Sequence, residues 1–294
     1  MKPASFEYYA PSELDEALSL LQQHGDDAKV LAGGQSLVPL MNMRLARPSI
    51  IVDINGISEL EYINRAPEGG LHAGALARQR ALERSSLVRE ISPLISEAMP
   101  LVGHFQIRNR GTIGGSVAHA DPAGELSAIC IALDGEVVLR STEGERGVKA
   151  EELFVTYFTT AIEPTELLTQ VRFPAWVPGR GWGFEEVARR HGDFALVGAI
   201  ALVELDPNRA CAWARITLFG VDGTPVRAIE AEESLQGRVI DQAALEGAAA
   251  LVSDALDPES DLHASAQYRK EVGGVMARRA LAKALARTEE GAKA

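Results

Sequence analysis

Two short glycine-rich motifs contain the residues of this chain best suited to chemistry. The first glycine motif is AGGQSL at residues 32–37, and the second glycine motif is GTIGGSV at residues 111–117. Both combine hydroxyl side chains with consecutive backbone N–H groups and little steric bulk, which favours binding of an anion, above all where a helix begins directly afterwards. Taken singly, each is equally well explained as a plain tight turn. Two such motifs in the first half of the chain favour a diphosphate held between two lobes, and therefore a nucleotide-like ligand.

Neither motif follows the two best-known phosphate-binding patterns. The spacing GxGxxG is missing, and so is the Gly-Lys-Ser/Thr of a P-loop. The six histidines have no HExxH spacing, and no GxSxG sequence indicates a nucleophilic serine. Cys130 and Cys211 have no CxxC neighbour, so an iron–sulfur cluster, a zinc site and a disulfide framework are all unsupported. We predict no catalytic side chain and no metal ligand in this chain.

The composition is that of an ordinary globular protein. The chain has 294 residues, more than one average domain, of which 46% are hydrophobic and 24% are charged. A net charge of −12 argues against a nucleic-acid partner, which requires a basic surface. No apolar segment approaches the roughly 20 residues that span a bilayer, and the N-terminal segment lacks the apolar core of a signal peptide. With only two cysteines, these features predict a cytoplasmic protein without a membrane span.

The elements around the first glycine motif form a predicted βαβ unit. The strand AKVL at 28–31 leads into the glycines, a short helix follows at 36–45, and the apolar strand SIIVDI occupies 49–54. The right-handed crossover of such a unit places the start of the helix at the carboxyl end of the first strand. A phosphate group fits at this position.

The rest of the chain predicts an α+β fold. Short strands and helices continue as far as a cluster of prolines and glycines at 174–183, which indicates a domain boundary. Beyond it, strand-like runs at 184–189, 196–205 and 212–219 predict a three-stranded antiparallel sheet. A helical pattern then continues to the end of the chain.

Five segments, in sequence order, resemble the flavin-binding medium subunit of the molybdenum hydroxylases, the family of xanthine dehydrogenase and carbon monoxide dehydrogenase. They are VLAGGQSLVPLMNMRLARPSIIVDINGI, QIRNRGTIGGSVAHADPAGEL, TELLTQVRFP, EVARRHGDFALV and SAQYRKEVGGVMARRAL. The resemblance extends from about Phe6 to Ala286. It implies a two-lobed FAD-binding domain of the PCMH type, with lobe 1 at residues 1–56 and lobe 2 at residues 57–176. The C-terminal domain of the medium subunit is implied at residues 180–287.

The resemblance also implies which residues hold FAD. Both glycine motifs contact the phosphates, through Ala32, Gly33, Gly34, Gln35, Ser36 and Leu37 in the first motif, and through Gly111, Thr112, Ile113, Gly114, Gly115 and Ser116 in the second. The glycines let the backbone approach the cofactor, and the hydroxyl groups donate to phosphate oxygens.

Three residues outside the motifs complete the implied FAD site. Glu125 stands where relatives usually have an aspartate that contacts the polar part of the cofactor; its alternative interpretation is a solvated turn acid. Leu168 matches an apolar contact near the isoalloxazine. Phe194 matches an aromatic residue, often tyrosine, that lies against the flavin ring. Its alternative interpretation is a core phenylalanine at the start of a buried strand. The lysine that animal members place near the flavin is replaced here by Glu185.

The implied function is that of an electron-transfer subunit of an oxidoreductase. Substrate is oxidised at a molybdopterin cofactor on a large partner, and the electrons cross two [2Fe–2S] clusters on a small partner. They then reach FAD on this chain and leave to an external acceptor. The implied assembly is a dimer of such heterotrimers. Two alternatives stay open: a self-sufficient FAD-dependent oxidoreductase of the same architecture, and a nucleotide-binding regulatory or assembly protein without flavin absorption.

Overall fold

A computed structural model describes residues 2–291 of the chain, and the side chains of residues 2–288. These residues form an α+β fold with three larger sheets and one two-stranded hairpin. Met1, the first residue of the predicted lobe 1, lies outside the described residues. No helix within residues 2–291 combines the length and the apolar character needed to cross a membrane.

The first sheet is parallel and contains the predicted βαβ unit. Its elements are β1 (Glu7–Tyr9), α1 (Leu14–His24), β2 (Ala28–Leu31), α2 (Leu37–Asn42) and β3 (Ile50–Asp53). The strand order is β1-β3-β2, so β2 and β3 are neighbours joined through α2. The helix α1 buries one apolar face, formed by Leu14, Ala17, Leu18 and Leu21. It ends at Gly25, whose positive φ of 48° suits glycine.

The second sheet is antiparallel and five-stranded. Its region contains, in chain order, β4 (Ile63–Arg65), β5 (Leu71–Gly74), α3 (Gln79–Arg84), α4 (Ser86–Ile91), α5 (Pro93–Ala98), α6 (Phe105–Arg110), α7 (Ile113–His119), α8 (Glu125–Ala132), β6 (Glu136–Ser141), β7 (Gly144–Lys149), α9 (Ala150–Leu153), β8 (Phe154–Thr156), β9 (Thr159–Thr160) and β10 (Leu167–Phe173). The strand order is β4-β5-β10-β6-β7, and β8 with β9 forms the separate hairpin. Every residue of α8 is buried.

The third sheet is antiparallel and has four strands, one more than the sequence predicts. Its region contains β11 (Gly181–Ala188), β12 (Ala195–Leu205), β13 (Cys211–Phe219), β14 (Val226–Arg227), α10 (Ile229–Leu235), α11 (Gln242–Ala255) and α12 (Ala266–Gly291). The three long strands are the predicted ones. The fourth strand, β14, pairs with the end of β13 over two residues only, which is too short to show an alternating pattern in the sequence.

The third sheet is buried on both faces. One face places Phe184, Ile200 and Phe219 in the apolar core that contains α8 and the second sheet. The other face places residues such as Ala199 and Ile216 against α10, α11 and α12. The third sheet therefore covers α8, and with it the segment that follows the second glycine motif.

Candidate cofactor site

The two glycine motifs, far apart in the sequence, lie against each other in the structure. A Cβ atom on Gly33 would be 2.5 Å from the carbonyl oxygen of Arg110 and 2.8 Å from the Cα of Gly111. A Cβ atom on Gly115 would be 3.6 Å from the Cβ of Ala32. Main chain therefore approaches main chain at this point, which a side chain at Gly33 would prevent. The structure thus brings the two predicted groups of phosphate-binding residues to one place.

The first glycine motif is a turn with unpaired backbone N–H groups. The turn joins β2 to α2, and within it Gly34 has a positive φ of 72°. No acceptor for the N–H groups of residues 33–37 occurs in the part of the chain that the structure describes. The Gln35 side chain donates to the carbonyl oxygen of Gly33 at 2.9 Å, and the hydroxyl of Ser36 makes no capping bond to α2. Unpaired N–H groups that converge in a turn are suited to bind an anion.

The second glycine motif was predicted as a turn, but its central residues form the start of the helix α7. Thr112 caps this helix, because its hydroxyl oxygen accepts the N–H of Gly115 at 3.1 Å. The N–H groups of Ile113, Gly114 and Ser116 donate to backbone carbonyl oxygens at 3.0–3.1 Å. Only Gly115 and Ser116 of this motif are partly exposed. The second glycine motif therefore offers space and a hydroxyl group, whereas most of its N–H groups have acceptors in the protein.

A polar link between the two motifs was not predicted from the sequence. The side chain of Asn55 donates to the carbonyl oxygen of Ala32 at 2.7 Å. The guanidinium of Arg78 donates to Oδ1 of Asn55 at 2.8 Å and to the carbonyl oxygen of Arg110 at 2.6 Å. The one available signal is that Asn55 follows the second strand of the βαβ unit directly. Arg78 is 23 residues further along, and no sequence pattern marks it.

Glu125 is buried, so its interpretation as a solvated turn acid is wrong. It is the first residue of α8 and only 4% exposed. Burial raises the pKa of Glu125 to about 8, and the charges of Glu186 and Asp121 act in the same direction. Burial also raises the pKa of Glu186 to about 7, and its Oε2 atom is buried with no hydrogen-bond partner among the described residues. Glu186 escaped the sequence analysis, which considered only its neighbour Glu185; the structure pairs Glu185 with Lys283 at 2.5 Å.

Phe194 is exposed, so its interpretation as a core phenylalanine is wrong. Its side chain is 59% exposed and directly precedes β12. The same loop passes close to α6, because a Cβ atom on Gly192 would collide with the ring of His104. Leu168, in contrast, is 4% exposed and lies in the core, paired with Leu139 of β6. The ring of Phe194 is available to a ligand, whereas Leu168 offers a ligand little surface.

Both cysteines are buried and unpaired. Burial raises the pKa of the Cys130 thiol to about 12 and that of the Cys211 thiol to about 11, so neither forms a reactive thiolate near neutral pH. Within residues 2–291, no group of three histidine, cysteine, aspartate or glutamate side chains is arranged to hold a metal ion. The polar groups that converge at the glycine motifs are therefore the site of interest.

The fold and this site together define a class of protein. A turn with unpaired N–H groups, packed against the glycine-rich start of a helix, has the chemistry to hold the diphosphate of a dinucleotide. Residues 4–176 match the family model described as the FAD binding domain in molybdopterin dehydrogenase. Residues 182–284 match the CO dehydrogenase flavoprotein C-terminal domain. The chain belongs to the family of FAD-binding medium subunits of the molybdenum hydroxylases.

Individual relatives agree over nearly the full length. The chain is 45% identical to the 6-hydroxypseudooxynicotine dehydrogenase complex subunit alpha of Paenarthrobacter nicotinovorans, over 98% of this chain and 97% of that protein. It is 40% identical to the caffeine dehydrogenase subunit beta of a Pseudomonas species, over 97% and 96% of the two chains. The carbon monoxide dehydrogenase structure from Hydrogenophaga pseudoflava contains a chain with a TM-score of 0.94 and 38% identity, covering 98% of this chain and 99% of that one.

Proposed function

We propose that this chain receives electrons from the [2Fe–2S] clusters of a small partner subunit and passes them through FAD to an external acceptor. When bound, FAD supplies the redox chemistry that connects one-electron clusters to the acceptor. The chain's own residues bind and orient the cofactor. The observation that carries the proposal is the row of unpaired N–H groups at residues 33–37, packed against the second glycine motif.

The proposed FAD contacts follow from the positions of the residues. In the first glycine motif, the backbone from Ala32 to Leu37 holds the phosphates with its free N–H groups. In the second, Gly115 and Ser116 face the cofactor, while Gly111, Thr112, Ile113 and Gly114 shape the wall behind them. Glu125, Leu168 and Phe194 are proposed to line the flavin end of the site. We also propose that lobe 1 (1–56), lobe 2 (57–176) and the C-terminal domain (180–287) are the units of the chain.

The proposed assembly contains a large molybdopterin-binding subunit and a small iron–sulfur subunit, with two such heterotrimers in one complex in the cytoplasm. The support is that relatives are described as a complex subunit or a medium chain. The relatives' names also carry different substrates, among them caffeine and carbon monoxide, although each chain is similar to this one over nearly its full length. We infer that another subunit selects the substrate.

Reconstitution tests the proposed function. The full chain, loaded with FAD, is assayed alone and with the large and small subunits of its complex, using carbon monoxide, aldehydes, purines and N-heterocycles as substrates. We expect turnover from substrate to acceptor only in the complete complex. When this chain is omitted, substrate should reduce the clusters and go no further. Steady turnover by this chain alone would contradict the proposal and favour a self-sufficient flavoenzyme.

A further inference from the structure

We propose that Asn55 and Arg78 are positioning residues, which hold the two glycine motifs at the spacing that FAD requires. The proposal rests on the proposed FAD binding and adds two residues outside both motifs. It assigns them no contact with the cofactor. Their role is to fix the width of the site.

The link connects the main chains of both motifs through two side chains. Asn55 Nδ2 donates to the carbonyl oxygen of Ala32 at 2.7 Å, on the side of the first glycine motif. Arg78 Nη2 donates to Asn55 Oδ1 at 2.8 Å, and Arg78 Nη1 donates to the carbonyl oxygen of Arg110 at 2.6 Å, directly before the second glycine motif. Separation of the motifs would break at least one of these hydrogen bonds.

Both side chains are themselves held in place. The carboxylate of Asp53 accepts from the backbone N–H of Asn55 at 2.9 Å and from its side-chain Nδ2 at 2.6 Å. The hydroxyl of Tyr8 donates to the other oxygen of Asp53 at 2.6 Å. The backbone of Arg78 forms an isolated antiparallel bridge with Thr112 in the second glycine motif. Asn55 is therefore anchored to the first sheet, and Arg78 is anchored to the second glycine motif.

The contact at Gly33 and the polar link act in opposite directions on the spacing. The backbone of Gly33 already lies so close to Arg110 and Gly111 that the motifs cannot approach further. The hydrogen bonds of Asn55 and Arg78 prevent them from moving apart. A lower and an upper limit together define one spacing, and a site that is formed before the ligand binds loses less entropy on binding.

A competing explanation is that Arg78 acts only as a positive charge near the phosphates. Lysine keeps the charge but is a point donor, and it cannot reproduce two hydrogen bonds in the fixed geometry of a guanidinium. Arg78→Lys therefore separates the two explanations. Asn55→Ala removes the donor to Ala32 and the acceptor for Arg78 without changing the net charge.

The experiment measures the Kd of FAD and the Tm of the FAD-free full chain for the variants Arg78→Lys, Arg78→Ala, Asn55→Ala and Arg78→Ala/Asn55→Ala. We expect each single change to weaken FAD binding about tenfold or more, because a hydrogen bond with a charged partner is lost. We expect the double variant to bind no worse than the weaker single variant, since both residues belong to one link. The Tm of the FAD-free chain should change by only a few degrees.

The control is Arg65→Ala, which removes an arginine that pairs at 2.8 Å with Glu90 on the exposed side of β4. It should leave the Kd of FAD unchanged. The proposal is overturned if Arg78→Lys binds FAD as the wild type does while Arg78→Ala does not, or if the losses of the two single variants multiply. It is also overturned if weaker binding appears only together with a matching loss of Tm. A wild-type chain that binds no FAD would instead refute the proposed function itself.

Discussion

The two glycine motifs look alike in sequence but differ in what their backbones offer. In the first motif, the N–H groups of residues 33–37 have no acceptor in the described part of the chain. In the second motif, Ile113, Gly114, Gly115 and Ser116 all donate their N–H groups within the protein. The first motif is therefore the source of backbone donors for an anion, and the second motif mainly supplies space.

The glycines are required for different reasons in the two motifs. Gly34 needs its positive φ, and Gly33 needs to let Arg110 approach. A Cβ atom on Gly114 would instead be 2.6 Å from the Cβ of Ala75, which lies in the wall of lobe 2 and not in the site. Similar composition therefore hides a division between binding the ligand and packing the wall that faces it.

The largest expected effect follows from closing the contact between the motifs. Gly33→Ala places a methyl group 2.5 Å from the carbonyl oxygen of Arg110 and displaces the first motif. We expect the Kd of FAD to rise about 100-fold or more, equivalent to about 2.8 kcal/mol of binding free energy. Flavin fluorescence during an FAD titration measures it.

Gly247→Ala is the matched control for Gly33→Ala. Gly247 lies inside α11, and nothing is within 4 Å of the position of an added Cβ atom. This control should bind FAD normally and be slightly more stable, because alanine favours helices over glycine by about 1 kcal/mol. Normal FAD binding by Gly33→Ala would show that the two motifs do not enclose one ligand.

A change in the wall should affect stability more than binding. Gly114→Ala forces a methyl group against Ala75, and overpacking of this kind costs about 1–3 kcal/mol of the free energy of unfolding. Urea unfolding measures this loss, and an FAD titration of the folded variant should give nearly the wild-type Kd. Loss of FAD binding at unchanged stability would place Gly114 in direct contact with the cofactor and remove the contrast between the motifs.

The buried carboxyl groups of Glu125 and Glu186 predict a dependence of stability on pH. Burial raises both pKa values above the ordinary value of 4.5, to about 8 and about 7. Between pH 5 and pH 8 the folded chain therefore binds more protons than the unfolded chain, and its free energy of unfolding falls as the pH rises. We expect this pair to contribute a loss of about 1–2 kcal/mol across that range, measured by urea unfolding at several pH values.

Glu186→Gln should make this pH dependence shallower, because it removes one buried acid and the charge that raises the pKa of Glu125. Glu185→Gln is the control on the same strand, where the carboxylate pairs with Lys283. A pH profile that Glu186→Gln leaves unchanged would refute the buried pair.

The smallest effect on stability is expected at Phe194. Because its ring is 59% exposed, Phe194→Ala should change the free energy of unfolding by less than about 0.5 kcal/mol. If the ring lies on the flavin, the same variant should change the fluorescence of bound FAD. Val239→Ala, at an exposed position on the C-terminal domain, should change neither. An unchanged flavin signal in Phe194→Ala would remove this residue from the site.

Local sequence patterns predicted the βαβ unit and the three long strands of the third sheet, because alternation and apolar runs are local properties. They did not predict that α7 is helical. A segment with two adjacent glycines has low helix propensity, and here Thr112 caps the helix while Ile113 N–H bonds to Ala77 from elsewhere in lobe 2. The burial of Glu125 was likewise hidden, since the third sheet that covers α8 begins at Gly181.

Among the site residues, those in the motifs could be predicted from a resemblance in sequence, and those in the link could not. The glycines stand in continuous stretches with an unusual composition. Asn55 and Arg78 are single polar residues whose importance depends on two backbone carbonyl groups that only the fold brings near. Contacts between distant segments leave no local pattern to read.

Hydrogen exchange with and without FAD tests the central claim most directly. The amides of residues 33–37 have no acceptor within the described chain, so we predict fast exchange in the FAD-free protein and strong protection when FAD binds. The amides of residues 113–116 already have acceptors and should show a smaller change. Protection of the second motif alone, or of neither motif, at saturating FAD would contradict the account.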